Sequence, residues 1–390
     1  MVRRATRRLL EPPETLRRGP FRSGAFTSKL HDARVASWLG LALGVTFTIC
    51  FATGLLSHLI QHPPSFVTWP SRPAGLYRVT QGLHVTTGLA SIPLLLAKLW
   101  SVYPHLWTWP PVRDVAHLVE RITLLPLVGG SLFLLFTGLA NITLWYPWRF
   151  FFPAGHYWAA WITIGALIVH VGAKWTVFRT STARRRVAPD ATDVDRRRFL
   201  QVIAGVGGLV TLTTVGQTFR PLRRLALLAP RRTDVGPQGF PVNKSAAGAG
   251  VLPAAVSPAY RLIVDGNVER PLSLSLADLR ALPQREATLP IACVEGWSVS
   301  KTWQGVAVRD LLDLAGAPAH AEVVVSSLQE RGLYKASVLN AAHAADADTL
   351  LALDVEGEEL HIDHGYPVRL IGPNRPGVMQ TKWVSRLTIS

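Results

Sequence analysis

The sequence predicts an α-helical membrane bundle of four spans plus a fifth anchor span, followed by a mostly-β or α+β soluble domain. A mean hydropathy of +0.23 and a charged fraction of 17% indicate a chain that is partly embedded in a membrane. Long apolar segments end near residue 220, and short strand-like runs follow them. We therefore expect four parts: 1–34 (basic cytoplasmic tail), 35–180 (four-helix membrane domain), 181–235 (fifth span and linker) and 236–390 (soluble domain).

Five segments are long and apolar enough to cross a bilayer, which takes about 20 helical residues. They cover residues 35–60, 79–99, 122–145, 157–177 and 199–219. Tryptophan side chains favour the membrane–water interface, as an aromatic belt requires. The tryptophans at or near the predicted ends are Trp38, Trp69, Trp100, Trp107, Trp109, Trp145, Trp148 and Trp158.

The net charge of +16 is distributed as in a membrane protein rather than a nucleic-acid-binding one. Arginines crowd the first 22 residues and recur at 184–186 and 196–198, beside apolar segments. Flanks of this kind lie on the cytoplasmic side. We therefore predict a cytoplasmic N-terminus and an extracytoplasmic C-terminal domain. The sequence has no zinc-type Cys/His spacing and no RNA-binding aromatic motif, so nucleic acid is not an expected partner.

The fifth segment differs from the other four in its moderate hydropathy. It begins Arg196-Arg197-Arg198-Phe199-Leu200 and continues into a stretch rich in Gly and Thr. This pattern resembles a twin-arginine export signal placed inside the chain. The resemblance implies that the C-terminal domain folds, and acquires a cofactor, before it crosses the membrane. The alternative is an ordinary positive flank of a span.

Histidines within the apolar segments are candidates for function, because ionisable residues are costly there. His156 and His170 are 14 residues apart, so on a helix they share one face and lie about 21 Å apart along the axis. His58 and His84 lie in the first two spans, and His31 and His117 precede the first and third. That spacing suits two stacked haems, each held by two histidines, and such ligation favours electron transfer.

Residues 30–180 resemble the bacterial di-haem cytochrome b family, on the strength of four spans and the paired histidines. The resemblance implies one or two b haems. By depth we expect His84 to pair with His156, and by family order His170 to pair with His31. His58 competes with His84, and His117 competes with His31. Interfacial hydrogen bonding remains the alternative for any one of these histidines alone.

The soluble domain is predicted from strand-like runs at 260–264, 288–293, 323–327, 368–371 and 383–389, with helices at 276–282 and 306–315. Residues 220–255 have the Pro, Gly and Ala content of a linker. Cys293 is the only cysteine of this region, because the other, Cys50, lies in the first span. It is therefore a small buried hydrophobe, a reactive nucleophile or a thiolate ligand of a soft metal.

Residues 240–390 resemble the sulfite oxidase-type molybdopterin-binding family, and within it the periplasmic methionine sulfoxide reductases. Three blocks carry the resemblance: Cys293-Val294-Glu295-Gly296-Trp297-Ser298 with Trp303-Gln304-Gly305, His364-Gly365-Tyr366-Pro367-Val368-Arg369-Leu370, and Lys382 thirteen residues after Arg369. The resemblance implies that Cys293 binds molybdenum and that the pterin and its phosphate contact a further set of residues: Asn243, Ala246, Ala247, Ser326 or Ser327, His364, Arg369, Gln380, Thr381 and Lys382.

The sequence departs from the family at two places. His364 stands where the family has asparagine, and the loop 372–379 lacks the usual aromatic and lysine residues. We expect this loop to border the cofactor, so the substrate preference is open. Nor is the arginine-rich pocket of true sulfite oxidases evident near Cys293.

The sequence therefore predicts a membrane-bound, molybdenum-dependent oxidoreductase that performs oxygen-atom transfer on a small molecule. The b haems would relay electrons to or from the quinone pool or another membrane carrier, and membrane lipid surrounds the spans. Reduction of an S- or N-oxide is the first expectation and oxidation of a sulfite-like substrate the second. The alternative is a non-catalytic membrane protein whose C-terminal domain is a binding module without a cofactor.

Overall fold

The computed structural model describes residues 19–22, 24–182 and 191–390. These residues form two compact units. One comprises residues up to Phe51 together with Val85–Leu212, and the other comprises Ala52–His84 together with Thr213–Ser390. Ala52–His84 thus groups with the C-terminal residues, although the sequence predicts it as part of the membrane domain. The predicted arginine clusters of the first 18 residues and of 184–186 lie outside the described residues.

The N-terminal region is helical, and its apolar segments explain why. Its five long helices are α1 (Ala33–Gln61), α2 (Leu76–Val102), α3 (Val115–Thr143), α4 (Phe152–Thr182) and α5 (Ala191–Val215). By length and composition, each contains a candidate membrane span. The predicted third and fifth segments extend two and four residues beyond the ends of α3 and α5. Many large apolar side chains on these helices are exposed, including Trp158, Ile162 and Ile168 of α4, as expected for surfaces that face lipid.

The C-terminal residues fold into a β-rich domain with two sheets. Its strands are β1 (Leu262–Gly266), β2 (Leu272–Leu274), β3 (Arg285–Ala292), β4 (Ser298–Ala307), β5 (Val323–Ser327), β6 (Ala336–Leu339), β7 (Leu350–Val355), β8 (Glu358–Glu359), β9 (Arg369–Ile371) and β10 (Val384–Ile389). One sheet has the order β2-β1-β10-β5-β6. The other has the order β3-β4-β7-β8, with β9 also paired to β7. The β1–β10 pair is parallel, and the other pairs are antiparallel.

Short helices connect the strands and complete the core. They are α6 (Ala246–Ala249), α7 (Leu252–Ala255), α8 (Leu276–Ala281), α9 (Val308–Ala315) and α10 (Ala341–Ala345). Ser275 caps α8 and forms a capping box with Asp278. The main core joins apolar residues of both sheets to α9, whose Leu311 is fully buried.

All five predicted strand-like runs overlap strands of the structure, and the other five strands were not predicted. The run 323–327 matches β5, whereas β4 was missed and its last two residues, Val306 and Ala307, were assigned to a helix. The prediction that linker character extends to residue 255 is also wrong. Ala246, Val251 and Ala255 are buried against Trp383 and belong to the folded domain.

Gly305 of the Trp303-Gln304-Gly305 motif has a structural reason to be glycine. The register between β4 and β7 shifts between Gln304 and Gly305. A Cβ atom at Gly305 would lie 2.1 Å from the backbone oxygen of Leu351. No side chain fits there unless the two strands separate.

We predict that Gly305→Ala lowers the melting midpoint of the full-length protein by about 10 °C or prevents folding, because the clash is with backbone. The control is Gly357→Ala, whose Cβ would meet open space at a φ of +80°. Strain alone should lower its midpoint by no more than about 4 °C. Thermal unfolding followed by circular dichroism measures both variants, and equal shifts would contradict the prediction.

Candidate active site

Cys293 lies at the start of a tight turn that follows β3. The amide of Cys293 donates to the carbonyl oxygen of Trp297 over 2.9 Å, and the amide of Gly296 donates to the carbonyl oxygen of Cys293 over 3.0 Å. Gly296 has a φ of 89°, a conformation that favours glycine. The turn therefore gives the thiol a defined position at the end of the strand.

The Cys293 thiol is buried and held by a polar neighbour. Its exposed fraction is 2%, and Asn243 Nδ2 donates to Cys293 Sγ over 2.7 Å. Burial, with a smaller contribution from the Glu295 carboxylate, raises the pKa of the thiol to about 12. The thiol is therefore protonated at neutral pH and is not a free nucleophile, whereas a bound metal cation would deprotonate it.

Glu295 is itself part of the same turn. Its carboxylate accepts a hydrogen bond from Trp297 Nε1 at 3.1 Å and lies 3.4 Å from Arg231 Nε. Burial raises the pKa of this carboxyl above its usual range. Glu295 therefore braces the indole of Trp297, which packs in the same apolar cluster as Cys293 and Trp303.

Lys382 and Arg369 gather beside this turn. Lys382 Nζ donates to the carbonyl oxygens of Lys244, 3.0 Å away, and Asp363, 2.7 Å away. Arg369 Nη1 donates to the carbonyl oxygen of His364 over 2.9 Å, and the guanidinium lies 5.6 Å from the ring of Trp303. Because Lys244 follows Asn243, which contacts Cys293, the two cations and the thiol belong to one site.

Arg369 is buried and Lys382 is half-buried, and the Asp363 carboxylate acts on Lys382 without forming an ion pair with it. Among the described residues, no carboxylate forms an ion pair with Arg369 or Lys382, and Arg369 Nε has no hydrogen-bond partner. Burial lowers the pKa of Arg369 to about 9. Burial, followed by the charge of Arg369, lowers the pKa of Lys382 to about 7. Two neighbouring cations without ion-pair partners in the described part of the chain, one of them fully buried, suit an anionic ligand.

His364 is a neutral imidazole that stacks on Phe240. The two ring centroids are 3.6 Å apart and the planes differ by 8°. Burial and the charge of Arg369 lower the pKa of His364 to about 3. Because Nε2 lies 2.8 Å from the carbonyl oxygen of Pro237, which only accepts, Nε2 carries the proton. Nδ1 is then a buried acceptor, without a partner in the described part of the chain.

The remaining predicted contacts divide into two groups. Ser327 Oγ donates to the carbonyl oxygen of Lys382 over 2.7 Å, and the amide of Ala246 donates to Asp363 Oδ1, also over 2.7 Å, so both support the lysine segment. The others form hydrogen bonds outside the group around Cys293 and Lys382. Ser326 accepts from Ser385, Thr381 pairs with Ser337, Gln380 donates to the carbonyls of Pro290, Gly372 and Arg375, and Ala247 accepts from Gly250.

Several residues of this region could not be predicted from the sequence. Phe240, which stacks on His364, belongs to no recognisable motif. Arg375 is 5% exposed and donates to Met379, Val338 and Ser337, and burial lowers its pKa to about 10. Asn374 is also buried and bonds to residues 70–77, which the sequence placed in the membrane domain. Its hydrogen bond with Tyr77 joins residues 297 positions apart, so no local sequence pattern could predict it.

The candidate haem histidines lie in both units. In one unit, the His58 and His62 ring centroids are 4.9 Å apart, and His84 packs so closely on Gly54 that a Cβ there would lie 2.6 Å from His84 Nδ1. In the other, His156 and His170 share α4 as predicted.

The surroundings of the second group differ from one histidine to the next. His156 Nδ1 is 2.8 Å from Thr137 Oγ1, and His31 Nδ1 is 3.4 Å from the carbonyl oxygen of Ser101. His170 Nδ1 is buried and lacks a hydrogen-bond partner among the described residues. His117 Nδ1 accepts from the amide of Arg113, so this ring is already engaged at the start of α3.

The donor set around Cys293 fits a molybdopterin cofactor. A soft thiolate suits molybdenum, the guanidinium and ammonium suit a phosphate, and the acceptor His364 Nδ1 suits an N–H group of a pterin ring. Of the candidate haem histidines, His170 has a buried Nδ1 that is unbonded within the described residues, which fits an imidazole available for haem. Within the described residues, no cluster of three or more His, Cys, Asp or Glu forms a conventional metal site.

Comparisons with known proteins support the first of these two fits. The family described as "Oxidoreductase molybdopterin binding domain" matches residues 249–390. A sulfite oxidase from Arabidopsis thaliana is 31% identical over 163 residues, covering 33% of this chain and 42% of that protein. The chain therefore spans less than half the length of this relative.

Two further relatives are protein-methionine-sulfoxide reductases. A putative subunit from Azospira oryzae is 30% identical over 215 residues, covering 50% of this chain and 80% of that protein. A catalytic subunit from Campylobacter jejuni is 21% identical over 224 residues, covering 52% of this chain and 75% of that protein. These matches speak against a binding module without a cofactor. The chain belongs to the sulfite oxidase and protein-methionine-sulfoxide reductase family of molybdopterin-binding oxidoreductases.

Proposed function

We propose that this protein is a membrane-bound molybdenum enzyme that transfers an oxygen atom to or from a small molecule, with electrons relayed through b haems. The observation that carries the molybdenum half is the buried thiol of Cys293 beside the cations Arg369 and Lys382, which no ion pair within the described residues balances. A thiol with its pKa raised to about 12 and two such cations are destabilising features. One ligand that carries both a soft metal and a phosphate relieves all of them.

Each residue of the site has a definite task in this proposal. Cys293 supplies the thiolate that completes the metal coordination, and the Asn243 amide stabilises and orients that thiolate by donating to it. Arg369 and Lys382 hold the phosphate, and His364 accepts from the pterin. When bound, the cofactor supplies two-electron oxygen-atom transfer. The enclosing cluster of Phe240, Trp297 and Trp303 keeps water away from the sulfur.

Reduction of an S- or N-oxide is the reaction that we favour. A sulfoxide, two protons and two electrons give a sulfide and water, and a quinol or another membrane carrier supplies both electrons. Two of the relatives are named as protein-methionine-sulfoxide reductases, and the chain covers 75% or more of each. Oxidation of a sulfite-like substrate is the second candidate, because a sulfite oxidase is also similar at 31% identity.

We further propose that the helices α1–α5 cross the membrane, surrounded by lipid, with the C-terminal domain outside the cytoplasm. The arginine-rich flanks and the twin-arginine-like start of α5 support this orientation. His84 with His156, and His170 with His31, would hold haem b, with His58 as the alternative to His84. Bound in this way, haem b supplies one-electron transfer within the membrane.

The Cys293 assignment predicts that Cys293→Ser lowers oxygen-atom transfer at least about 100-fold, the upper range for loss of a single group that supports a metal. X-ray absorption at the molybdenum edge should show one sulfur ligand fewer. Cys50→Ala is the matched control, since it removes the other cysteine, and should leave both readouts unchanged. A Cys293→Ser protein with full activity and an unchanged sulfur shell would contradict the assignment.

The low pKa of Lys382 predicts that cofactor retention depends on pH. Without the phosphate, the ammonium loses its proton near pH 7, in surroundings that include Arg369, Asp363, Lys244 and Cys293. A bound anion favours the charged form, so binding above pH 7 takes up a proton, and affinity should fall up to about tenfold per pH unit. The measurement is the pterin fluorescence released after dilution between pH 6.5 and 9.

Lys382→Arg is the informative comparison, because arginine stays charged over this range. Its retention profile should be nearly flat while the wild-type profile declines. A wild-type cofactor retention that does not change with pH would mean that Lys382 does not bind the phosphate.

The haem assignment predicts a reducible b-type spectrum in the purified full-length protein. His170→Ala should lose at least half of the reduced absorbance, because each haem needs both imidazoles. His320→Ala is the control, since His320 is an exposed residue of the β-rich domain. A wild-type spectrum without haem bands would remove the electron relay and leave the molybdenum site standing.

A further inference from the structure

The segment that joins α1 to α2 packs against the β-rich domain through several polar contacts. Asn374 Oδ1 accepts from the amide of Tyr77 over 3.1 Å, and its Nδ2 donates to the carbonyl oxygen of Pro70 over 2.9 Å. The amide of Asn374 donates to Ala74 over 3.0 Å. Asn374, which is only 2% exposed, thus forms hydrogen bonds with three residues of this segment and the start of α2.

Charged and apolar contacts extend this attachment. Arg72 forms ion pairs with both Asp346 and Asp348. Asn340 Nδ2 donates to the carbonyl oxygen of Trp69 over 3.0 Å. Ala292, the residue directly before Cys293, packs in an apolar cluster with Ile60, Trp69, Leu76 and Tyr77. The segment is therefore fixed to the strand end that carries the thiol.

Two side chains bind the outward carbonyl groups of the Cys293 turn. Inside the turn, the carbonyls of Cys293 and Trp297 accept from backbone amides. Gln81 Nε2 donates to the carbonyl oxygen of Val294 over 3.0 Å, and Thr218 Oγ1 donates to that of Gly296. The donors belong to α2 and to the residues after α5, so the turn is bound from two distant parts of the chain.

Gly82, the residue next to Gln81, leaves the space that Thr218 needs to reach the Cys293 turn. A Cβ atom at Gly82 would lie 2.5 Å from Thr218 Cγ2. Glycine at this position lets Thr218 reach the turn beside Gln81. Gln81 is 8% exposed, so its amide is removed from water and depends on the Val294 carbonyl for its hydrogen bond.

We propose that Gln81 is a positioning residue for the Cys293 thiolate, acting through the Val294 carbonyl. The inference rests on the proposed role of Cys293 as the metal ligand. It adds that α2, which carries His84 one turn after Gln81, sets the position of that ligand. Loss of the amide frees the carbonyl next to Cys293, so the turn opens more often and the sulfur takes a wider range of positions.

The test uses the full-length chain in a Cys50→Ala background, so that Cys293 is the only thiol. In protein prepared without the cofactor, Gln81→Leu should raise the rate of Cys293 alkylation by iodoacetamide about five- to tenfold, the loss of one hydrogen bond. Gln284→Leu is the matched control, because the half-buried Gln284 amide donates to the carbonyl oxygens of Leu279 and Leu282 but not to the turn. Its rate should stay within about twofold of the parent.

In loaded protein, the molybdenum-edge spectrum of Gln81→Leu should show a broadened sulfur shell, and that of Gln284→Leu should not. If Gln81→Leu fails to fold, Gln81→Met keeps the side-chain length and replaces it in both measurements. A parental alkylation rate, an equal increase in both variants or an unchanged sulfur shell would each overturn the positioning role. Wild-type protein that binds no molybdenum would instead contradict the proposed function. The alkylation rates, which are measured without the cofactor, would still test whether Gln81 positions the thiol.

Discussion

The constraint on which this site depends is charge that no ion pair within the described chain balances, on the buried Arg369 and the half-buried Lys382. Arg369 is 3% exposed, and with Lys382 it lacks a carboxylate partner among the described residues. The cost of burying such groups appears as pKa values lowered to about 9 and about 7. The same site keeps the Cys293 thiol protonated, because burial raises its pKa to about 12. A fold that retains these unfavourable groups together has its electrostatics set for a ligand rather than for its own stability.

The architecture explains how the ligand-binding groups meet. Cys293 follows β3 and Arg369 begins β9, both in one sheet, whereas Lys382 precedes β10 of the other sheet. The turn at Cys293 is closed by its own backbone, and side chains from α2 and from the residues after α5 bind its outward carbonyls. The position of Cys293 thus depends on helices that the sequence assigns to the membrane as well as on the β-rich domain.

The resemblance of three sequence blocks to a known family predicted Cys293, Arg369 and Lys382 as residues of one site. A lone cysteine, a buried arginine and a lysine thirteen residues later are local features, and the structure brings all three to one region. The sequence could not predict contacts between distant segments, such as Asn374 with Tyr77 or Gln81 with Val294, because no periodicity connects them. Strand β4 was missed for a different reason. Its consecutive polar residues Ser300, Lys301 and Thr302 interrupt the alternation expected of a strand, and its last two residues also suit the start of α9.

The most direct test of the account is the joint measurement of molybdenum and pterin in the purified full-length protein, made in a host that synthesises the cofactor. The account predicts about one molybdenum and one phosphate-bearing pterin per chain. Both should fall together in Arg369→Met, which removes a buried cation and keeps an apolar stem. Folded wild-type protein that contains neither component would contradict the central claim.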